Sequence, residues 1–337
     1  MKAAVFDRFG EPSEVLSLRE LPDPEPGAGQ VRVRMIASPI NPSDLMVVQG
    51  RYGVLPRLPA TPGFEGVGVV DKAGPGLLGR WVLGKRVSAI NSAGGNWAEY
   101  ALIPARQARP IPDDIPDEQA ATFFVNPATV LALVRHVLAV PKGEWLLLSA
   151  AGSTLGKMII KLGEHDGFKT LCAVRRAEAK DELTRLGADA VISSAEGPID
   201  EQVRQITLGT GVRYALDPVG GDTGAAVFRS LAAGGRMVVY GTLSGQPIPI
   251  DPRQLIAGRT SVEGFWLGHW MKERSIPASL LLFREIASLI RQGVLSSDVG
   301  PALALDQINQ AVHLAETVGR GGKILLRFGH SAARQSK

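Results

Sequence analysis

Hydrophobic and polar residues follow one pattern before about residue 120 and another after it. In the first part, short strand-like runs are separated by turns rich in proline and glycine, and Val31–Ile36 alternates apolar and polar positions. In the second part, apolar runs of strand length alternate with segments that are apolar at helical spacing. The patterns therefore predict a mostly β part followed by an α/β part with a doubly wound parallel sheet.

The same patterns, with the turns between them, predict the individual elements. In the first part the predicted strands are Met1–Phe6, Val31–Ile36, Gly66–Asp71 and Arg86–Ile90. After a linker, the predicted helices are Gln119–Leu138, Ala177–Leu186, Glu201–Thr207 and residues 275–292. The predicted strands of this part are Leu146–Ser149, Thr170–Val174, Ala190–Ile192, Arg236–Tyr240 and Ser261–Trp266, with a further strand and its crossover at Tyr214–Leu231. Gly322–Phe328 is a last strand that we expect to rejoin the first part, and residues 330–337 are predicted to be a frayed tail.

One stretch, Trp145–Arg176, has the pattern of a unit that binds dinucleotides. A buried strand leads into a turn of small residues, a helix follows, and a second buried strand ends at two arginines. Small side chains let a pyrophosphate approach the free N–H groups at the start of the helix. The positions of the G-x-G-x-x-G fingerprint read Ala151, Ser153 and Gly156, however, and a purely structural crossover can have the same small turn.

The end of the second strand indicates which dinucleotide this unit would bind. NAD enzymes have an acidic residue here for the ribose hydroxyls, whereas this chain has Arg175 and Arg176. A guanidinium pairs with the 2′-phosphate of NADPH, which a carboxylate would repel. NADPH is therefore the predicted cofactor, and the alternative is a pair of solvated arginines at a strand end.

Length and composition limit the class of protein. A chain of 337 residues, 45% hydrophobic and 21% charged, is long enough for two packed domains. Its single cysteine, Cys172, excludes an internal disulfide and a multi-cysteine zinc site. The net charge of +4 suits anionic ligands such as NADPH, coenzyme A or an acidic carrier protein, and no basic tract indicates nucleic-acid binding. No signal peptide or membrane span is apparent, so we expect a soluble, cytoplasmic protein.

Three segments, MKAAVFDRFGEP, NPSDLMVVQGRYG and PGFEGVG, resemble the medium-chain dehydrogenase/reductase superfamily, and the resemblance extends over essentially the whole chain. It implies a Rossmann NADPH-binding domain at 122–273 and a mostly β GroES-like catalytic domain formed by 1–121 and 274–337. The zinc-dependent members hold their catalytic zinc with a cysteine just before an aspartate and with the histidine of a G-H-E motif. Ser43 and Phe64 stand at those positions and cannot replace these ligands, which implies a zincless member. Asp44 and Glu65 remain from the zinc enzymes' pattern, and we expect them to be structural hydrogen-bond anchors.

Two segments, Asn41–Gly66 and Gly264–Met271, are similar to the 2-enoyl thioester reductases of fatty acid metabolism. In that family the tyrosine of the Q-G-x-Y-G motif, Tyr52 here, supplies a proton to Cα after NADPH delivers hydride to Cβ of the C=C bond. The chemistry needs such a group, because hydride addition leaves an enolate that must be stabilised and protonated. Two alternatives stay open: an NADPH-dependent quinone or enone oxidoreductase, and a non-catalytic NADPH-binding protein in which Tyr52 is only a turn residue.

The same resemblance implies a set of further site residues. Those expected to hold NADPH, in addition to the two arginines, are Asn126, Thr129, Gly152, Ser153, Thr154, Leu155, Tyr240, Gly241, Phe265, Trp266 and Lys323. Asn41 and Trp270 are expected in the substrate pocket.

Structural explanations stay open for several of these residues. Asn126 is suited to cap a helix, Phe265 and Trp266 to form a buried pair at a strand end, and Lys323 to be a solvated lysine in a glycine-rich turn. The resemblance also implies a homodimer, for which Ser261–Trp266 is the candidate edge strand, because an unpaired apolar edge is usually covered.

Overall fold

The computed structural model describes residues 1–317, 319 and 321–329. The chain divides into two compact units. The first unit comprises Met1–Val125, Phe283–Arg291 and the chain from Ser296 onward, and the second comprises Asn126–Leu282 and Gln292–Leu295. The predicted frayed tail, residues 330–337, lies outside the described residues.

Strands and helices are mostly short. The strands are β1 (Lys2–Val5), β2 (Ser17–Glu20), β3 (Gln30–Pro39), β4 (Val67–Ala73), β5 (Arg86–Ala89), β6 (Tyr100–Pro104), β7 (Ala108–Pro110), β8 (Trp145–Leu148), β9 (Lys169–Val174), β10 (Ala190–Ser193), β11 (Val212–Asp217), β12 (Leu231–Val239), β13 (Ser261–Gly264), β14 (Val299–Ala304) and β15 (Lys323–Arg327). The helices are α1 (Pro12–Val15), α2 (Pro42–Val48), α3 (Leu77–Val82), α4 (Asp117–Ala121), α5 (Val125–Leu131), α6 (Thr154–Asp166), α7 (Lys180–Arg185), α8 (Ile199–Ile206), α9 (Gly221–Arg229), α10 (Pro252–Gly258), α11 (Leu267–Lys272), α12 (Ile276–Arg291) and α13 (Ile308–Glu316). Within residues 1–317, 319 and 321–329, no helix has the length and apolar character needed to cross a membrane.

A seven-stranded mixed sheet forms the centre of the first unit. Its strand order is β14-β15-β3-β4-β5-β7, and β6 also pairs with β3. Alternate residues of β3 from Val31 to Ala37 are buried, in a core that includes the rings of Phe6 and Trp97. β15 pairs antiparallel with β3, with Leu325 opposite Pro39. This pairing confirms that the last strand rejoins the first part of the chain.

The second unit contains a six-stranded sheet in which every pair of neighbours is parallel. Its order is β10-β9-β8-β11-β12-β13. Counted within this sheet the order is 3-2-1-4-5-6, that of the Rossmann fold. The order reverses between β8 and β11, where Leu146 lies opposite Tyr214. The predicted doubly wound parallel sheet is confirmed, and β13 is one of its two edge strands.

One predicted helix is wrong. The pattern predicts a single helix at Gln119–Leu138, but Thr122–Phe124 separates α4 from α5, and α5 continues as a π-helical turn. The backbone N–H of Phe124 donates to the Glu65 carboxylate instead of to a helical carbonyl. Pro127 has no N–H and is tolerated only near the start of a helix, so the new helix begins just before it.

Several other elements were not predicted, namely the short helices and the strands β2, β6 and β7 of the first part, and also β14, α10, α11 and α13. Helices of four to seven residues, such as α1 and α2, are too short for helical periodicity to be visible. The amphipathic helix at 275–292 is confirmed as α12.

Candidate active site

Helix α2 of the first unit begins with a fixed hydrogen-bonding arrangement. Pro42 is the first residue of the helix, where its missing N–H costs nothing. Asp44 is completely buried and accepts hydrogen bonds from the backbone N–H groups of Asn41 (2.8 Å) and Phe64 (2.9 Å). The Asp44 carboxylate therefore holds the start of α2 against the segment that contains Phe64.

A chain of buried side chains links α2 to the last strand. Asn41 Nδ2 donates to Glu65 Oε1 (3.0 Å), and Asn41 Oδ1 accepts from Lys323 Nζ (2.6 Å). Glu65 Oε2 also accepts from the backbone N–H groups of Phe124 (3.2 Å) and Val125 (2.8 Å). Lys323 is only 2% exposed, so the solvated lysine considered from the sequence is wrong.

Burial dominates the electrostatics of this network. It raises the pKa of Asp44 from 3.8 to about 7, against the lowering effect of the two backbone hydrogen bonds and of the Lys323 ammonium. It also raises the pKa of Glu65, opposed mainly by the hydrogen bonds that this carboxylate accepts. The prediction that both carboxyl groups are structural anchors is confirmed, and Lys323 is a cation that lowers the pKa of both.

Tyr52 lies in the loop after α2 and is half-buried. Its ring centroid is 5.2 Å from that of Phe64, and both rings pack against the core of the first unit. The resemblance implies that Phe64 stands where the zinc enzymes have histidine, and in the structure its ring contacts that of Tyr52. Among the residues that the structure describes, no group of three or more His, Cys, Asp or Glu side chains could hold a metal ion. Zinc-independent chemistry stays a prediction.

Within the first unit, the structure brings several predicted site residues together. Asn41 and Lys323 are hydrogen-bonded to each other, and Tyr52 contacts Phe64, whose N–H is held by Asp44. Both ends of the Asn41 amide bind protein groups, and Asn41 is 2% exposed. Its expected place in the substrate pocket, and that of Lys323 at the nicotinamide ribose, stay predictions.

The predicted dinucleotide turn of the second unit lies between β8 and α6. Ser153 caps α6, and its Oγ accepts the N–H of Gly156 at 3.1 Å. A Cβ on Gly156 would lie 2.4 Å from the carbonyl oxygen of Ala151, so a glycine is needed for the helix to start this close to the turn. Gly152 is exposed, and a Cβ there would meet nothing within 4 Å. The turn therefore leaves open access to the start of α6.

Two helices contain the next group of predicted cofactor residues. Thr154 and Leu155 form the first turn of α6, where backbone N–H groups have no helical acceptor and can bind an anion. The Leu155 side chain is 9% exposed, so its backbone is the part available to a ligand. Asn126 and Thr129 lie in α5, which begins at Val125. Asn126 is therefore inside the first turn and is not the helix cap considered from the sequence.

Six further predicted residues follow the carboxyl ends of parallel strands. They are Arg175 and Arg176 after β9, Tyr240 and Gly241 after β12, and Phe265 and Trp266 after β13. Because the strands are parallel, these ends lie at the same edge of the sheet as the turn after β8. Both arginine side chains are exposed, and in the described part of the chain neither guanidinium has a hydrogen bond or ion pair.

Sequence analysis missed a buried pair that joins these strand ends. The Ser149 hydroxyl, just after β8, donates to Asp217, the last residue of β11. The Asp217 carboxylate also accepts from the N–H groups of Val219 (3.2 Å) and Gly220 (2.8 Å), and its carbonyl accepts from Tyr240 (3.0 Å). The pair ties β8, β11 and β12 together where the strand order reverses. An acidic residue that ends an apolar strand run was the available signal.

An aromatic group follows β13. The Trp270 ring contacts those of His136 and Phe265, with centroid distances of 5.4 and 6.4 Å, and Trp266 contacts His269 at 4.4 Å. Phe265 and Trp266 are half-buried, so the fully buried pair considered from the sequence is wrong. The role of Trp270 in the substrate pocket stays a prediction.

Comparison with known proteins identifies the family. The family models described as an alcohol dehydrogenase GroES-like domain and a zinc-binding dehydrogenase match residues 27–113 and 154–283. Mitochondrial enoyl-[acyl-carrier-protein] reductases are similar over most of the chain: that of Rattus norvegicus is 34% identical over 93% of this chain and 84% of its own, and that of Xenopus tropicalis is 33% identical over 94% and 92%. The crystal structure of Escherichia coli quinone oxidoreductase complexed with NADPH is 28% identical, with a TM-score of 0.89, and the match covers 97% of this chain and 100% of that one. With a GroES-like domain and a Rossmann domain, the chain belongs to the medium-chain dehydrogenase/reductase family and is of its quinone oxidoreductase-like kind.

Proposed function

We propose that the protein is an NADPH-dependent 2-enoyl thioester reductase, which reduces the C=C bond of an enoyl-CoA or enoyl-acyl carrier protein without zinc. The observation that carries the proposal is Tyr52, a half-buried tyrosine in the Q-G-x-Y-G loop whose ring is held against Phe64 at 5.2 Å. Two relatives that are 34% and 33% identical over most of the chain are named enoyl-[acyl-carrier-protein] reductases, which supports the same reaction.

NADPH is the cofactor that fits the second unit. The N–H groups at the start of α6 suit its pyrophosphate, and the exposed guanidinium groups of Arg175 and Arg176 suit its 2′-phosphate. The buried Ser149–Asp217 pair keeps the turn at this edge of the sheet in one place. The similar Escherichia coli quinone oxidoreductase is complexed with NADPH. When bound, NADPH supplies the hydride that adds to Cβ of the C=C bond.

Tyr52 has the task of completing the reduction. Hydride at Cβ leaves an electron pair shared between Cα and the thioester oxygen, and Cα must then gain a proton. The phenolic O–H of Tyr52 donates that proton, because a phenol is an O–H donor as well as an acceptor. Contact with Phe64 restricts the ring, which lowers the entropy lost when the hydroxyl is aimed at its acceptor.

The buried network supports this loop from behind. Asp44 holds the N–H of Phe64 at 2.9 Å, so the aromatic partner of Tyr52 is fixed by α2. Asn41 and Lys323, in the substrate pocket and at the nicotinamide ribose respectively, belong to the proposal as residues of the same network. The proposal also includes Trp270 as a wall of the acyl pocket and Asn126 and Thr129 beside the cofactor.

A second candidate function is the reduction of quinones or enones. The observation that favours it is the TM-score of 0.89 with Escherichia coli quinone oxidoreductase. A quinone takes up its protons on oxygen and needs no proton donor for carbon, so the hydroxyl of Tyr52 would be dispensable. The two functions therefore predict different effects of removing the Tyr52 hydroxyl: loss of activity for a thioester reductase and no effect for a quinone reductase.

Assembly and location belong to the same proposal. The edge strand β13 of the six-stranded sheet would pair with its copy in a homodimer, because an edge strand left open invites pairing. We retain the cytoplasm as the expected location, although the matched reductases of Rattus norvegicus and Xenopus tropicalis are named mitochondrial.

The experiment compares thioester and quinone reduction in wild type and Tyr52→Phe, by the loss of NADPH absorbance. Phenylalanine keeps the ring against Phe64 and removes only the hydroxyl. With crotonyl-CoA we expect kcat to fall about 100-fold or more, the usual loss for a general acid, and with benzoquinone no change. Tyr100→Phe is the matched control, because Tyr100 lies in β6 beneath the guanidinium of Arg32 and has no role in the proposed reaction.

The outcomes separate the two functions. Turnover of crotonyl-CoA that collapses in Tyr52→Phe but not in Tyr100→Phe supports the enoyl thioester reductase. Reduction of benzoquinone alone, at equal rates in all three proteins, assigns the protein to the quinone reductases and makes Tyr52 a turn residue.

A further inference from the structure

Arg274 lies against an aromatic cluster in the second unit. Its guanidinium carbon is 3.6 Å from the centroid of the Trp270 ring, and Trp270 in turn contacts the rings of His136 and Phe265. The helix that contains Trp270, α11, has no buried residue. A cation–π contact therefore holds the guanidinium over the Trp270 ring, beside a helix whose residues are not buried.

Nothing in the described part of the chain balances the charge of Arg274. It has no ion pair with a described carboxylate, and its Nε is buried without a hydrogen-bond acceptor. Other arginines of the same unit do have acidic partners: Arg135 with Asp166, Arg229 with Asp200, and Arg236 with Glu263. A buried donor without an acceptor costs free energy that the protein alone does not recover. The unpaired charge of the guanidinium points to an anionic ligand.

We propose that Arg274 binds the phosphate joined to the pantetheine arm of the thioester substrate, the group that coenzyme A and an acyl carrier protein have in common. The inference rests on the proposed function. A guanidinium is well matched to phosphate because its N–H groups reach two oxygens at once. Contact with Trp270 already restricts the position of the guanidinium, so less side-chain entropy is lost on binding. Lys272, exposed at the end of the same helix, adds positive charge.

A phosphate-binding Arg274 would also explain how one protein of this family selects thioesters. Quinones and simple enones have no phosphate and would gain nothing from Arg274. A substrate with a phosphorylated arm would gain binding energy at a group that takes no part in the reaction, which lowers KM without any change at the C=C bond. Arg274 is thus a residue for specificity, not for chemistry.

The test uses three thioesters of the same acyl group: crotonyl-CoA, crotonyl-4′-phosphopantetheine and crotonyl-pantetheine, the last without phosphate. In Arg274→Gln we expect KM to rise about tenfold for the first two, as for the loss of a charge-assisted hydrogen bond at a partly exposed site. KM for crotonyl-pantetheine, KM for NADPH and kcat should not change. Crotonyl-acyl carrier protein, assayed beside crotonyl-CoA, shows which carrier depends on Arg274 more strongly.

Two variants serve as controls. Arg274→Lys keeps the charge and loses the planar fork, so its KM for crotonyl-CoA should lie between those of wild type and Arg274→Gln. Arg253→Gln removes one positive charge from the same unit at a site where the side chain is 90% exposed, and it should behave as wild type.

Each contrary result overturns the inference. An equal rise in KM for crotonyl-pantetheine would mean that Arg274 acts through packing, and a rise in KM for NADPH would assign it to the cofactor. A rise for crotonyl-CoA without one for crotonyl-4′-phosphopantetheine would assign it to a different phosphate. If wild type reduces none of the thioesters, the proposed function fails and this inference fails with it; if wild type reduces them and Arg274→Gln matches it throughout, only the inference fails.

Discussion

Gly156 is the residue on which the geometry of the dinucleotide turn depends most directly. A Cβ at this position would lie 2.4 Å from the carbonyl oxygen of Ala151 and 2.7 and 2.8 Å from its carbonyl carbon and Cα. All three atoms are backbone, so no side-chain rotation can relieve the contact. In Gly156→Ala the start of α6 must therefore move away from the turn until the distance of 2.4 Å becomes at least 3.0 Å.

The loss of stability in Gly156→Ala has two causes. Overpacking of this kind costs about 1–3 kcal/mol, and weakening the Ser153 cap, whose Oγ accepts from the Gly156 N–H, adds up to about 1 kcal/mol. The better helix propensity of alanine returns about 1 kcal/mol. We expect a net loss of about 2 kcal/mol, which for a chain of 337 residues lowers Tm by roughly 3 °C.

The movement also displaces the N–H groups that we assign to the pyrophosphate. Loss of one hydrogen bond to a charged group is worth about 1.5–3 kcal/mol, so Kd for NADPH should rise by roughly 10-fold or more. Circular dichroism melting gives Tm, and titration of NADPH by its fluorescence gives Kd at a temperature where the variant is folded. For stability the matched control is Gly152→Ala in the same turn, where a Cβ meets nothing within 4 Å and Tm should hardly change. The reasoning is refuted if the two alanine variants have the same Tm, or if folded Gly156→Ala has the same Kd for NADPH as wild type.

Three further predictions concern charged groups. Glu65→Gln removes an anion that accepts three hydrogen bonds in the core, so the free energy of unfolding, measured in urea, should fall by about 2–4 kcal/mol. The control Glu25→Gln changes an ion pair whose carboxylate is 65% exposed and should lower the free energy of unfolding by less than about 1 kcal/mol. Equal effects of the two substitutions would contradict the buried network. The folded state raises the pKa of Asp44 from 3.8 to about 7 and so binds its proton more tightly than the unfolded chain, which means that wild type should lose stability relative to Asp44→Asn as pH rises from about 4 to 7. Melting both proteins across this range checks the sign, and parallel curves would show that Asp44 does not titrate there. Replacing Arg175 and Arg176 by serine should raise Kd for NADPH by roughly 10- to 100-fold and leave Kd for NADH unchanged; an unaltered ratio of the two would mean that these side chains do not hold the 2′-phosphate.

Local pattern was sufficient for the segment Trp145–Arg176 of the second unit. β9 is a continuous apolar run and α6 has apolar residues at helical spacing, and both patterns are visible within a few residues. The structure has β9 within one residue of its predicted bounds. The exposed arginines at the end of β9 were also readable, because they interrupt an apolar run. Sequence is informative here because neighbours in the chain are neighbours in the fold.

Long-range contacts in the first unit could not be predicted in this way. Asn41 and Lys323 are 282 positions apart, and only the pairing of β15 with β3 makes them partners. Lys323 follows two glycines, which from sequence alone favours a solvated turn, and burial reversed that interpretation. The break in the helix predicted at Gln119–Leu138 has the same origin, since the carboxylate that captures the N–H of Phe124 comes from Glu65, 59 residues earlier. Periodicity contains no information about such partners.

The pairing of β3 with β15 also has a consequence for biosynthesis. Nearly all of the second unit is one continuous segment, Asn126–Leu282, and every strand of its sheet has emerged before β14 and β15 are translated. The first unit, in contrast, must wait on the ribosome without the partner of Ala37–Pro39 in β3 and with part of its core, including Ile324 and Leu326, still missing. We expect nascent chains that stop before Val299 to contain a protease-resistant cofactor unit and an N-terminal part that depends on chaperones, so the second unit should complete its folding before the first, although the first begins earlier in the sequence.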